Sequence, residues 1–188
     1  MDAFFEKPTE IGYQDLLFVL NKIQELNNID EDYGFRNKID TDNFGIFGHS
    51  LGGRIAGEFT ARNEGIKVLA TMEGIPPRDV RYEGKISVPS LMLCGSETLK
   101  YAVDNYNSFI ENRGDVVYMA ELVGFGHNSL TDNPYIYPSS FNYNVDASKG
   151  LNLGRSILTD FFNEHLMEQK GFYEKYNYHE SLNLVVHQ

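Results

Sequence analysis

The chain has 188 residues, 41% hydrophobic and 23% charged, which fits one globular domain with a proper core. Its net charge of −11, from 16 basic and 27 acidic side chains, argues against nucleic acid or an anionic membrane as the main partner, because phosphate binding needs a basic surface. A single cysteine, Cys94, excludes an internal disulfide, and no apolar run reaches the roughly 18 residues of an integral membrane segment.

The first residues lack the basic start and small-residue cleavage site of a signal peptide, and the compartment stays open. Residues 9–28 read as an amphipathic helix, with Leu16, Leu17, Leu20, Ile23 and Leu26 at three- and four-residue steps and Thr9 in a loose cap signal. Residues 29–42 are charged and polar and read as a loop. Residues 44–48 are a short buried strand, and 51–63 a helix. The early side chains of that helix are small (Gly52, Gly53, Ala56, Gly57), so it can sit close against a sheet. A second strand spans about 67–72. The segment GIPPRDVRYEGKIS, with two adjacent prolines, reads as a loop.

The run VPSLMLCGS predicts a third strand, with Cys94 as a buried small hydrophobe. Residues 99–112 look helical, with Tyr101, Val103, Tyr106, Phe109 and Ile110 on or near one stripe. DVVYMAEL is a fourth strand and runs into the glycine-rich turn VGFGHNSL. Residues 131–150 are polar, aromatic and irregular, and 151–168 form a final helix. The tail, 171–188, is tyrosine-rich and ambiguous. Strands alternating with helices predict an α/β domain over 1–188, with a mostly parallel sheet covered on both faces.

Chemistry concentrates at NFGIFGHSLGG, residues 43–53. A G-x-S-x-G turn between strand and helix forces its serine into a strained conformation, projects the hydroxyl past the sheet edge and points the next N–H at the same spot. Here these are Ser50 and Leu51. A free serine is a poor nucleophile, so it needs a histidine base, and the histidine needs a carboxylate to fix its tautomer. In this fold the order is serine, acid, histidine. His127 follows a predicted strand in the turn GFGHNS and is the candidate base, with Phe125 beside it as a pocket residue. His49 lies inside the elbow and is expected to shape the pocket. The acid is Glu73, which ends the strand ATMEG, or Glu97 in the turn GSET; Asp79, Asp104 and Asp132 are further carboxylates.

These residues resemble the α/β-hydrolase superfamily, and within it most closely the platelet-activating-factor acetylhydrolase group of serine esterases. GHSLGG carries the likeness, with Glu73 placed 23 residues after Ser50 and His127 placed 77 after it. VPSLMLCGSETLKYAVDN is similar to that family's proline-led strand, Ser-Glu turn and aromatic-rich helix. The family's acid is normally Asp, and Glu73 departs from that. The resemblance spans about residues 10–168 and implies hydrolysis of short-acyl or phospholipid-type esters without a metal or other cofactor. Dienelactone-hydrolase-like and polyester-hydrolase-like enzymes are close neighbours.

The same resemblance implies a core of about eight strands, commonly in a domain of over 200 residues. The N-terminal strands, and the loop that normally supplies the second oxyanion N–H, are not found. The sequence therefore also predicts that an N-terminal segment or a second chain completes the sheet. Residues 131–150, with Tyr135, Tyr137, Phe141 and Tyr143, are candidates to cover the pocket, against an ordinary surface loop. A non-catalytic binding module or inactive fragment on a hydrolase scaffold is the competing reading. A peptidase or thioesterase shares the triad chemistry.

Overall fold

A computed structural model describes residues 2–29, 34–137 and 147–188. Five strands form one sheet in chain order: β1 (Phe44–His49), β2 (Ile66–Met72), β3 (Ser90–Gly95), β4 (Val117–Leu122) and β5 (Leu182–His187). The first four run parallel; β5 lies antiparallel on β4, from Val117 opposite His187 to Leu122 opposite Leu182. Among the described residues the helices are α1 (Asp2–Ile29), α2 (Leu51–Arg62), α3 (Arg78–Tyr82), α4 (Ser96–Glu111), α5 (Asn133–Ile136), α6 (Ala147–Met167) and α7 (Phe172–Tyr176).

Strands β2, β3 and β4 are almost wholly buried on both sides because both sheet faces are covered there. On one face Val68, Ala70, Leu91, Leu93, Tyr118 and Ala120 pack against Ile157 and Phe161 of α6 and Phe172 of α7. On the other, Leu69, Met92, Cys94, Val117 and Met119 meet Ala56 of α2, Val80 of α3, and Tyr106 and Phe109 of α4. Cys94 is fully buried there, and burial pushes its thiol up to about 12. The small side of α2 serves as the sequence predicts: a Cβ on Gly57 would stand 2.6 Å from the Pro76 ring.

Several elements differ from the sequence expectation. Helix α1 starts seven residues earlier, at Asp2, and carries Pro8 inside it. Thr9 is therefore no cap; its hydroxyl donates back to the Phe5 carbonyl at 2.6 Å. The double-proline loop contains the short helix α3. The tail supplies α7 and the fifth strand. In the 131–150 segment, Phe141 and Tyr143 lie outside the described residues. Among the described residues, β1 pairs only with β2, so its other edge is open. Phe47 on β1 is 58% exposed. No helix of the described residues is long and apolar enough to cross a membrane.

Candidate active site

The C-terminal ends of the parallel strands gather the predicted residues, which is where open α/β sheets bind ligands. Ser50 sits between β1 and α2 with φ 55° and ψ −118°, a conformation that costs a non-glycine residue on the order of 1–3 kcal/mol. Its neighbours hold it there. The Ser50 N–H donates to Met72 O at 2.8 Å, and the N–H of Gly53 donates to Ser50 O at 3.0 Å. The two glycines of the motif are not equivalent. A Cβ on Gly48 would lie 2.1 Å from Gly52 O, whereas one on Gly52 meets nothing within 4 Å.

The Ser50 hydroxyl faces Nε2 of His127 at 3.0 Å. Leu51 supplies the first N–H of α2, one that no carbonyl of its own helix can accept. His127 lies in the turn after β4, and that turn is tied: Gly126 N–H donates to Ser129 Oγ at 3.0 Å and Ser129 N–H donates to Gly126 O at 2.9 Å.

Glu73 directly follows β2 and also has positive φ, 55°. Its N–H extends the ladder to Leu93 O at 2.8 Å, and its Oε1 accepts from Gly95 N–H at 2.5 Å. Its Oε2 lies 3.6 Å from His127 Nδ1. That is an ion-pair distance, longer than a hydrogen bond. Oε2 is buried and accepts no hydrogen bond. A shift of the imidazole by a few tenths of an ångström would close the contact, and catalytic hydrogen bonds often tighten only when substrate binds. Pairing with Glu73 raises the His127 pKa above its ordinary value, outweighing the opposite effect of burial.

The other candidates separate from this group. Glu97 is exposed in the first turn of α4, where a negative charge suits the helix dipole. Its contact to the turn runs through its own N–H, which donates to Phe125 O at 3.3 Å. Asp79 pairs with Lys85, and Asp104 and Asp132 are exposed. Phe125 is not a pocket residue: it is 2% exposed and belongs to the core under α6. His49 does not line the cleft over Ser50 either. It lies behind His127, ring centroids 4.9 Å apart, and its Nε2–H donates to the His127 carbonyl at 2.9 Å. Burial lowers its pKa, which favours the neutral ring in this role.

The cleft over Ser50 holds about 460 Å³. His127, Glu73, Gly74, Ile75 and Arg81 are among the residues that line it. Phe5 and Arg54 line it as well, as do Thr98, Tyr101, Ala102 and Asn105, spaced along one face of α4. Sequence reading missed Arg54, Arg81 and this face of α4. Tyr135 and Tyr137 are exposed and do not line the cleft. A larger open depression of about 950 Å³, bordered by Tyr118, Glu164 and His165, lies toward the other end of β4 and contains none of the three residues.

Sheet order, parallel strands and covering helices define an esterase- or hydrolase-like α/β fold. Among solved structures, the chain is similar to ferulic acid esterase from Streptomyces cinnamoneus, with a TM-score of 0.79 at 20% sequence identity. The match covers 98% of this chain and 56% of that one, so the chain spans little more than half of its neighbour's length. No family model and no curated protein matches the chain by sequence.

Proposed function

We propose that the chain carries the catalytic triad of a serine carboxylic-ester hydrolase, with Ser50 as nucleophile, His127 as base and Glu73 as the residue that orients the imidazole. The observation that carries this reading is the Ser50 hydroxyl, held at a strained elbow 3.0 Å from His127 Nε2. Ser50 Oγ attacks the ester carbonyl while His127 takes its proton. The Leu51 N–H stabilises the oxyanion. The ester C–O bond breaks, the alcohol leaves with the proton from His127, and water repeats the cycle on the acyl-enzyme. His49 positions the His127 turn. An esterase fold neighbour supports the reaction class. Short-acyl or phospholipid-type esters, as in the acetylhydrolase group, fit a cleft of this size.

The test is intact mass after exposure to a fluorophosphonate probe. One adduct is expected on the wild type, and none on Ser50→Ala or His127→Ala. A wild type without adduct, or Ser50→Ala that still labels, overturns the assignment.

The pH profile is a second test. A general base works in its neutral form, so kcat/KM should rise with pH through an apparent pKa above 6.5, because Glu73 holds the imidazolium. Removing that charge should move the midpoint to lower pH. A midpoint that stays put in Glu73→Gln contradicts the pairing.

We further propose that additional polypeptide, from a longer chain or a second one, continues the sheet at β1 and supplies the second oxyanion donor. The open β1 edge, exposed Phe47 and the shorter span against the neighbour support this. Losing one such donor costs about 100- to 1000-fold in rate. An unpaired strand also invites association. Sedimentation of the isolated chain should therefore show concentration-dependent oligomers; a monomer with a cooperative, highly stable melt would remove the idea.

A further inference from the structure

Helix α1 carries apolar side chains on two opposite faces. Tyr13, Leu16, Leu17 and Leu20 pack inward with Phe44, Phe59 and Ile66. Phe4, Ile11, Phe18 and Ile29 are 78%, 53%, 65% and 64% exposed. Their spacings of seven, seven and eleven residues are close to two, two and three helical turns, so the four fall on one line along the helix. Packing on α2 and β1 uses only the first stripe. A second, continuous apolar line facing water marks a surface that other polypeptide covers. Steps of seven residues are the period at which two helices keep one seam in contact.

The charges beside the line indicate what covers it. Lys7 and Glu25 are both exposed and lie 18 residues apart, about five turns, so they stand on the same flank of the line. When two copies of α1 lie antiparallel about a two-fold axis, each flank faces the same flank of the other copy with its ends exchanged. Setting Phe4 level with the second copy's Ile29 brings Ile11 within about a turn of the second copy's Phe18. In the same register Lys7 comes within one residue of the second copy's Glu25. The symmetry makes each of these contacts twice, so the line is complementary to itself in both shape and charge. Within one copy Glu25 meets Lys22 in an exposed pair, which leaves the carboxylate accessible from the flank.

We propose that two copies of this chain associate through antiparallel α1 helices, with Phe4, Ile11, Phe18 and Ile29 buried along the seam and Lys7 paired with Glu25 toward each end. The surface is distinct from the open β1 edge, because the line runs on the side of α1 opposite the one that packs on Phe44. It stands independently of the esterase reading. It does reach the site: Phe4 directly precedes Phe5, which lines the cleft over Ser50, and the two rings meet edge to face at 5.1 Å.

The test is sedimentation equilibrium of the full chain and four variants, with a thermal melt of each to check folding. The wild type should dimerise with a Kd of about 1–100 μM. Phe18→Asp, which puts a carboxylate into the middle of the seam, should raise that Kd about 100-fold or more. Lys7→Glu and Glu25→Lys each set like charges together at two places and should raise it about tenfold. The double variant Lys7→Glu/Glu25→Lys restores the pairs with their signs reversed and should return Kd to within about threefold of the wild type. That rescue separates a second copy from the other occupants: a different polypeptide on the line, or association through the β1 edge, gives none. All three positions are exposed, and the charge variants keep the test decisive if Phe18→Asp fails to fold. A monomeric wild type, a Kd unmoved by Phe18→Asp, or single charge variants that the double variant does not rescue overturns the proposal. Association that survives in Phe18→Asp is assigned to the β1 edge, which then stands without this second interface.

Discussion

Replacing Glu73 by Gln is expected to lower kcat on the order of 10⁴-fold while leaving the fold intact. The substitution keeps the volume, and an amide oxygen can still accept from Gly95 N–H, which Oε1 now does. What disappears is the negative charge beside His127 Nδ1. The imidazolium formed as Ser50 attacks then lacks its stabiliser. The amide NH₂ can also face the ring and favour the tautomer with its proton on Nε2, which cannot take one from serine. The measurement is kcat on a 4-nitrophenyl ester, with the thermal transition recorded alongside. A loss of less than about tenfold at unchanged stability would show that another carboxylate orients the base. Glu97→Gln is the matched control; its exposed position at the start of α4 predicts little change.

The second large effect comes from the paired glycines of the elbow. Gly48→Ala puts a methyl carbon 2.1 Å from Gly52 O, a backbone atom with no rotamer to escape through. Either β1 or the first turn of α2 must move, and Ser50 sits between them. Overpacking of this kind costs about 1–3 kcal/mol and at times more. For a chain of this size each kcal/mol lowers Tm by about 2–4 °C. Fluorophosphonate labelling should fall further than Tm does, because the strained Ser50 geometry is lost before the sheet is. Gly52→Ala is the contrast. It meets open space and removes a residue with poor helix propensity, so its Tm should hold or rise, by up to about 1 kcal/mol in stability. Equal losses in both variants would mean that the motif's glycines act through backbone freedom and not through contact.

Why some of this was legible in the sequence and some was not follows from the kind of information each feature needs. Strands β2, β3 and β4 announce themselves because burial on both faces leaves unbroken apolar runs. Glu73 is visible because a carboxylate directly after such a run is costly without a partner, and His127 because glycines flank it beyond a strand. Strand β5 is harder: LNLVVH alternates over only six residues inside a polar, tyrosine-rich tail, and its partner is set by the sheet. Pro8 conceals the first turns of α1, because proline normally marks a boundary. The Gly95 N–H that anchors Glu73 is a backbone group and leaves no trace in composition. Arg54 and Arg81 face the cleft only once α1 and α4 are packed, so tertiary contacts decide what helical periodicity leaves open. Phe125 misleads for a related reason: adjacency to His127 in sequence puts it below the turn, among the residues under α6.

Cys94 gives this chain a gauge of its own. It is the single cysteine in the sequence, 0% exposed within the sheet, with its thiol pushed up to about 12. Alkylation needs a thiolate that the reagent can reach. In the folded state neither condition is met, so the rate of modification counts how often the central sheet opens. Every variant above can then be read in two channels without any added label. A change in ester turnover at an unchanged thiol-trapping rate is chemistry at the site, and a change in both is loss of the fold that supports it.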